Sequence, residues 1–266
     1  MNRNGRLALA FHTVFIGFIL APILVVCAVA FTSKGYLSLP TDGLSLRWFR
    51  AIAANPDFTS ALWASLWLGT LSATISVALA VPAALAIARY RFPGREAVAT
   101  LMQAPLMVPP AVLGIAFLRF FTVTGLSGSF AGLVMSHVVI IMPYALRLAL
   151  SASTGLDPQI EHAAASLGAS SFAIFRRVTL PLILPGVVSG WVLAFITSFD
   201  EVTMTVFIAS PRTTTLPVRL FLYIQDNIDP LVAAVSAGLI ALTAVAMILL
   251  DRIYGLDRLL VGRGGR

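Results

Sequence analysis

Long apolar runs dominate the chain, and the short stretches between them carry most of the charged residues. Six of the runs reach roughly the 20 residues that a helix needs to cross a bilayer. Because an unpaired backbone polar group is costly in hydrocarbon, each run is predicted to form a membrane-spanning helix. The predicted helices cover about residues 7–31, 61–88, 97–121, 130–150, 182–209 and 231–250. The pattern therefore predicts an all-α membrane protein.

The composition agrees with this pattern and leaves little room for a soluble domain. Of the 266 residues, 59% are hydrophobic and only 11% are charged, and the mean hydropathy is +0.94, far above that of soluble domains. The longest stretches outside the predicted helices are about residues 32–60, 151–181 and 210–230. We therefore expect a single transmembrane domain over residues 1–266, with loops and short helices outside the bilayer.

The basic residues predict how the chain is oriented. An even number of spans returns both termini to one side, and twelve of the eighteen Lys and Arg residues lie on that side, against five on the other. Cytoplasmic loops carry the excess of positive charge, so both termini are predicted to be cytoplasmic. The net charge of +7 is then explained by membrane topology, so membrane lipid is an expected partner and nucleic acid is not.

The sequence lacks the usual signals for catalysis and for nucleotide or metal binding. Phosphate-binding loops end in Gly-Lys-Ser/Thr, whereas the single lysine, Lys34, lies in "TSKGY". His12, His137 and His162 lie in separate segments, without the i, i+4 spacing of two metal ligands on one helix. No G-x-S-x-G turn accompanies the serines. The chain is therefore expected to be no enzyme and to hold no cofactor and no metal.

The loop over residues 154–181 is the most structured segment outside the predicted spans. Asp157 and Pro158 are typical of a helix N-cap and of the first helical position, and Gly168 is typical of the residue that ends a helix. Together they predict a short helix over about residues 158–167. This helix would stand outside the bilayer.

One face of that short helix is predicted to be small and apolar, which suits a helix that seats deeply in a groove of another protein. The face follows the i, i+3, i+4, i+7 spacing and consists of Ile160, Ala163, Ala164 and Leu167. A second short helix, capped by Ser170 or Ser171 and turned towards the membrane at Pro181 and Pro185, would complete an L-shaped protrusion. The alternative is that the loop lies along the inner face of its own bundle.

The segment "EHAAASLGASSFAIFRRVTLPLILP" resembles the cytoplasmic coupling motif of ABC importer permeases, a Glu-Ala-Ala stretch, a glycine and an Ile-x-Leu-Pro ending. His162 occupies the glutamate position of the motif and Glu161 comes one residue earlier, about 100° around the helix. Either Glu161 compensates or the usual acidic contact is lost. By this resemblance the ATPase-coupling residues are Glu161, His162, Ala163, Ala164, Gly168, Leu180 and Pro181.

The resemblance extends over nearly the whole chain and is greatest to the second permease of spermidine/putrescine-type importers. It implies a type I ABC importer permease fold in a bacterial inner membrane. It also implies three kinds of partner: a second permease, two copies of an ATP-binding cassette ATPase, and a binding protein that delivers solute from outside. The implied function is to pass a small solute, such as a polyamine or a related organic cation, when the ATPases hydrolyse ATP.

Two adjacent acids, Asp200 and Glu201, interrupt the apolar stretch "FITSFDEVTMTVFIA". On a helix that starts near Leu182 they would lie in the outer half of the bilayer, where an ionisable residue tends to face the bundle interior or water. Glu201 is predicted to face the pathway or the partner permease, and Asp200 to bond nearby hydroxyls or a helix end. The predicted pathway residues are Glu201, Asp200, Thr197, Ser198 and Thr205. Alternatively, both acids are packing or capping residues.

Two other functional classes stay open at this point. A self-contained secondary transporter or channel would need no ATPase, and a purely structural membrane subunit would leave the polar residues around Glu201 unexplained. The polyamine resemblance also departs at Pro110 in "VPPAV", where polyamine-type relatives are expected to carry an acid. Fewer acids in the pathway weaken the case for a multivalent cation.

Overall fold

The structure, a computed structural model, describes residues 5–254. Within those residues the chain forms twelve α-helices and no β-strand. The helices are α1 (Arg6–Val29), α2 (Arg47–Ala54), α3 (Pro56–Arg89), α4 (Arg95–Gln103), α5 (Pro110–Thr124), α6 (Phe130–Thr154), α7 (Pro158–Ser166), α8 (Ser171–Ile174), α9 (Leu180–Phe199), α10 (Thr205–Ile208), α11 (Leu216–Asp226) and α12 (Leu231–Tyr254). The two chain ends, which are predicted to be cytoplasmic, lie outside the described residues at 1–4 and 255–266.

Four stretches of helix in the described chain are long and apolar enough to cross a bilayer. They are Ala8–Val29 within α1, all of α3, all of α6, and the run Ser171–Phe199 that passes from α8 into α9. A bent pair of helices would make a fifth span, and the apolar part of α12 found among the described residues, Leu231–Val245, is shorter. The prediction of an all-α membrane protein is confirmed, and the predicted spans need correction in two places.

The third predicted span, about residues 97–121, is bent. The helical stretch Arg95–Met107, which begins with α4, meets α5 at 102°, and together they have the length and composition of one broken span. Prolines explain the break, because Pro109 and Pro110 have no N–H to give to a helix and the residue before a proline is pushed out of the helical region. Val108 is accordingly extended, with ψ 127°. The prediction of one continuous helix here is wrong.

The fifth predicted span, about residues 182–209, is interrupted. α9 ends at Phe199, and helical structure resumes only with the single turn of α10. The break contains the β-branched residues Val202 and Thr203, which favour helix less than unbranched residues do. The prediction of a continuous helix through residue 209 is therefore also wrong.

A side chain competes with the helix at this break. The carboxylate of Glu201 accepts hydrogen bonds from the backbone N–H groups of Met204 and Thr205, at 2.7 and 2.8 Å. Side-chain acceptors of this kind offer the backbone an alternative to helical hydrogen bonds. Asp200 and Glu201 therefore lie at the end of α9 and in the loop that follows it.

The described residues fall into two compact units. The first unit is made of residues 5–60 and 220–253, and the second of residues 61–219 with residue 254. In the first unit the rings of Phe58 and Tyr223 lie 5.5 Å apart, centroid to centroid, and the Tyr223 hydroxyl donates to Asp229 at 2.7 Å. Burial and this carboxylate raise the pKa of Tyr223 to about 12, so the hydroxyl stays a donor at neutral pH.

In the second unit α6 and α9 pack closely along each other. A Cβ at Gly186 would lie 2.5 Å from the Cβ of Ala152, and a Cβ at Gly190 would lie 3.4 Å from the carbonyl oxygen of Ala145. Small residues let helices approach in this way in membranes, where van der Waals packing drives their association. This contact fixes the register of α9 on α6 and so places the residues at the end of α9.

Candidate functional site

The loop between α6 and α9 carries the first candidate site, and its local structure follows the predicted signals. The Asp157 side chain accepts the Gln159 N–H at 2.9 Å, and Gly168 ends the helix with φ +82°, a left-handed conformation that glycine adopts without strain. The Ser170 hydroxyl accepts the Ala173 N–H at 3.3 Å and so caps α8. The prediction of a capped helix over about residues 158–167 is confirmed by α7.

The second half of the loop differs from the predicted L-shape. α8 continues through a π-helical turn, Phe175–Thr179, into α9 without a break in helical structure. Pro181 lies in the first turn of α9, where a missing N–H costs little, so it does not turn the chain. The predicted turn at Pro181 and Pro185 is wrong, and the entry to α9 stands directly beside α7.

The predicted coupling residues divide into an exposed group and a group held by the chain itself. The exposed group of α7 and its end consists of His162, Ala163 and Gly168, while Ala164 is half-buried. Pro181 is exposed and Leu180 half-buried at the start of α9. Three large apolar side chains extend the exposed surface: Ile160 (44% exposed), Leu167 (89%) and Phe172 (72%). Ile160 and Leu167 lie outside the candidate spans, where exposed apolar side chains are typical of an interaction surface. Phe172 lies near the start of the candidate span Ser171–Phe199.

Glu161 belongs to the group held by the chain. Its Oε1 accepts a hydrogen bond from Arg89 Nη2 at 3.2 Å and another from the Thr179 hydroxyl at 2.6 Å. Thr179 is buried and the other two side chains are largely shielded. In this arrangement Glu161 faces its own bundle, and His162 is the residue of the pair that faces outwards.

The second candidate site is a buried polar network where α6, α9 and α10 meet. His137 of α6 is fully buried; its Nδ1 lies 2.8 Å from the Ser198 hydroxyl and its Nε2 lies 3.0 Å from the Thr205 hydroxyl. The Thr205 hydroxyl in turn donates to Glu201 Oε2. One side chain of α6 and three side chains from residues 198–205 therefore form one continuous series of hydrogen bonds.

The chemistry of the groups fixes where the protons lie. The Thr205 hydroxyl has one proton, which it donates to Glu201, so it accepts from His137 Nε2–H. In a neutral imidazole Nδ1 is then the acceptor and receives the Ser198 hydroxyl proton. Both Glu201 oxygens also receive backbone N–H groups. The network is internally satisfied and joins α6 to both sides of the break after α9.

The two adjacent acids have opposite environments in the structure. Glu201 is only 9% exposed and carries the capping hydrogen bonds that were expected of Asp200. The Asp200 side chain is exposed. The backbone N–H of Asp200 donates a hydrogen bond to the Ile196 carbonyl at 3.0 Å, at the end of α9. Thr197 is half-buried and donates its hydroxyl proton to the Leu193 carbonyl at 2.9 Å.

Sequence reasoning missed three residues of these sites, His137, Arg89 and Thr179. An ionisable residue inside a predicted span already indicates an internal polar partner, which could have singled out His137. Its actual partners lie 61 and 68 residues away, and no local pattern pairs them. Arg89 was counted only as an orientation signal. Among residues 5–254 no group of three or more His, Cys, Asp or Glu side chains could hold a metal ion.

The loop that holds Glu201 depends on Gly114 of α5, which yields a prediction. A Cβ at Gly114 would lie 2.9 Å from the Met204 carbonyl oxygen and 2.8 Å from Phe207 Cδ2. Because backbone atoms cannot move cheaply, we expect Gly114→Ala to lower the free energy of unfolding by about 1–3 kcal/mol, measured by thermal unfolding in detergent. Gly238→Ala is the control, since no atom lies within 4 Å of a Cβ there. Equal melting temperatures of both variants would contradict this packing.

Comparison with known proteins gives consistent matches. The family model described as "Binding-protein-dependent transport system inner membrane component" matches residues 77–256. The spermidine/putrescine transport system permease protein PotC of Haemophilus influenzae is 32% identical over 240 residues, 90% of this chain and 93% of that protein. The molybdenum transport system permease protein ModB of Mycobacterium bovis is 34% identical over 234 residues, 81% of this chain and 88% of that protein.

A solved structure shares the fold. A chain of a bacterial ABC transporter involved in the import of the acidic polysaccharide alginate matches with a TM-score of 0.77. The match covers 96% of this chain and 100% of that chain at 15% identity. At this identity the likeness is one of fold.

Proposed function

Because the chain belongs to the family of binding-protein-dependent transport system inner membrane components, we propose that it passes a small organic cation of the polyamine class into the cell. The chain is a multi-pass membrane protein and a permease subunit of an ABC importer. In our proposal it sits in a bacterial inner membrane with both termini cytoplasmic, and ATP hydrolysis takes place on partner subunits, so that this chain is itself no enzyme.

The observation that carries the proposal of an ATP-driven importer is the exposed surface on and beside α7. An isolated nine-residue helix is marginal in water, yet α7 is capped and held against the entry to α9 while Leu167 stays 89% exposed. A capped helix that presents an exposed apolar side chain outside the span suits docking into a groove of an ATPase. We propose that Ala163, Ala164 and Leu167 enter this groove, with His162 at its edge. Gly168, at the end of α7, and Leu180 and Pro181, at the start of α9, would hold the helix in position.

The other partners follow from the same proposal. A second permease subunit would complete the bundle, two ATPase copies would bind beneath, and a solute-binding protein would deliver the solute from outside. Residues Asp200 and Thr197 would line the pathway at the end of α9, because Asp200 presents an exposed carboxylate there. Glu201, Ser198 and Thr205 would hold this part of the pathway in place through the buried network.

The choice of a cation rests on charge. The relative named for spermidine and putrescine is 32% identical and the relative named for molybdenum is 34% identical, so identity at this level does not select the solute. An exposed carboxylate at the end of a span attracts a cation and repels an oxyanion. The exposed Asp200 carboxylate therefore favours a cationic solute over an oxyanion.

Uptake by the reconstituted complex tests the proposal. The chain, its partner permease and its ATPase are placed in liposomes with the binding protein outside, and radiolabelled putrescine, spermidine and molybdate are offered with and without ATP. We expect uptake of a polyamine that requires ATP and the binding protein. Uptake without ATP by this chain alone would instead support a secondary transporter or channel. ATP-driven uptake of molybdate only would refute the proposal that the solute is a cation.

A further inference from the structure

One carboxylate oxygen joins three parts of the second unit. Glu161 Oε1, on α7, receives Arg89 Nη2 from the last residue of α3 and the hydroxyl of Thr179 from the turn that enters α9. The hydrogen bond from Arg89 is charge-assisted and the bond from Thr179 is short and buried, so both are of the stronger kind. We name these three residues the Glu161 joint.

The rest of α7 has few other attachments of comparable strength. It is linked to α6 through residues 155–157 and to α8 through Gly168, while its outer surface is exposed. α7 also packs against α8 and the turn that enters α9. To this packing the Glu161 joint adds a charge-assisted link from α7 to α3 and a hydrogen bond to the entry of α9.

We propose that the Glu161 joint carries displacement of α7 to α3 and α9, so that Glu161 acts as a positioning residue within this chain and not as a contact for the ATPase. The inference rests on the proposed function. α3 has 34 residues and rises about 51 Å, longer than the roughly 30 Å hydrocarbon core. α9 runs from the joint to the break that holds Asp200 and the buried network. The joint thus reaches both candidate sites.

Breaking the joint should separate ATP hydrolysis from transport. In the reconstituted complex, with putrescine as the transported probe, we expect Arg89→Met to lower uptake per ATP hydrolysed about tenfold, while the ATPase stays bound and active. Arg91→Met is the matched control, since Arg91 is an exposed arginine two residues further on, and it should leave this ratio unchanged. An unchanged ratio in the Arg89 variant would overturn the proposal.

A milder pair of variants guards against misfolding. Thr179→Val removes the hydroxyl at nearly constant volume and should lower uptake per ATP hydrolysed. Thr179→Ser keeps the hydroxyl and should leave uptake per ATP hydrolysed close to that of the unaltered protein. The exchange Arg89→Glu with Glu161→Arg should recover part of the ratio that either single change loses. Equal ratios for the Val and Ser variants would show that the Thr179 hydroxyl plays no part in the joint.

A measurement on the full chain alone separates the joint from the proposed solute. With Cys27→Ala as background, spin labels at Leu167 and at Glu96, both exposed, report the position of α7 against α4. We expect a narrow distance distribution that broadens in Arg89→Met and stays narrow in Arg91→Met. If the complex takes up neither putrescine nor spermidine, the proposed solute is wrong. The distance distribution still tests the Glu161 joint in that case, because no broadening in Arg89→Met refutes it.

Discussion

Glu201→Gln should destabilise the protein strongly, although the change keeps the size of the side chain. The carboxylate receives the Met204 N–H on one oxygen and both the N–H and hydroxyl of Thr205 on the other. The amide of glutamine turns one of these oxygens into a donor, which then faces another donor in a site that is only 9% exposed. We expect the free energy of unfolding to fall by on the order of 3 kcal/mol.

Thermal unfolding and uptake together identify the role of each acid. For a chain of this size the expected loss lowers the melting temperature by about 5–10 °C, and uptake falls with the amount of folded protein. Asp200→Asn is the matched control, because Asp200 is exposed; it should keep its melting temperature and lose only cation uptake. A Glu201→Gln protein that melts like the unaltered one would show that the capping bonds contribute little.

The fold was predictable where the chain is apolar and uninterrupted. The predicted helices over residues 7–31, 61–88 and 130–150 correspond to α1, α3 and α6, because length and hydropathy suffice to recognise such helices. Both errors occurred where local chemistry overrides hydropathy. One is the break before the adjacent prolines of α5, and the other is the break where a glutamate takes the N–H groups that a helix would use.

The sites were predictable to the extent that their signals are local. Asp157, Pro158 and Gly168 predict α7 because capping involves neighbours in the chain. The pairing of Glu161 with Arg89 and of His137 with Thr205 could not be predicted, since the partners lie 72 and 68 residues apart. Such pairs depend on how helices pack, and the period of one helix does not determine its neighbour.

Leu167→Asp should abolish coupling to the ATPase while leaving the permease folded. The Leu167 side chain is 89% exposed, so a carboxylate there costs the isolated chain almost nothing. In the proposed complex the same side chain lies in an apolar groove, where an unpaired charge is costly.

We expect the ATPase to bind this variant about 30-fold more weakly, as measured by co-purification at graded ATPase concentration, and ATP-driven uptake to fall to background. Leu44→Asp is the matched control, since Leu44 is 79% exposed and lies in a loop predicted to be on the opposite side of the membrane. If both variants bind the ATPase equally well, the surface on α7 is not the docking site, because a charge at Leu167 would then matter no more than a charge at a largely exposed leucine far from that surface.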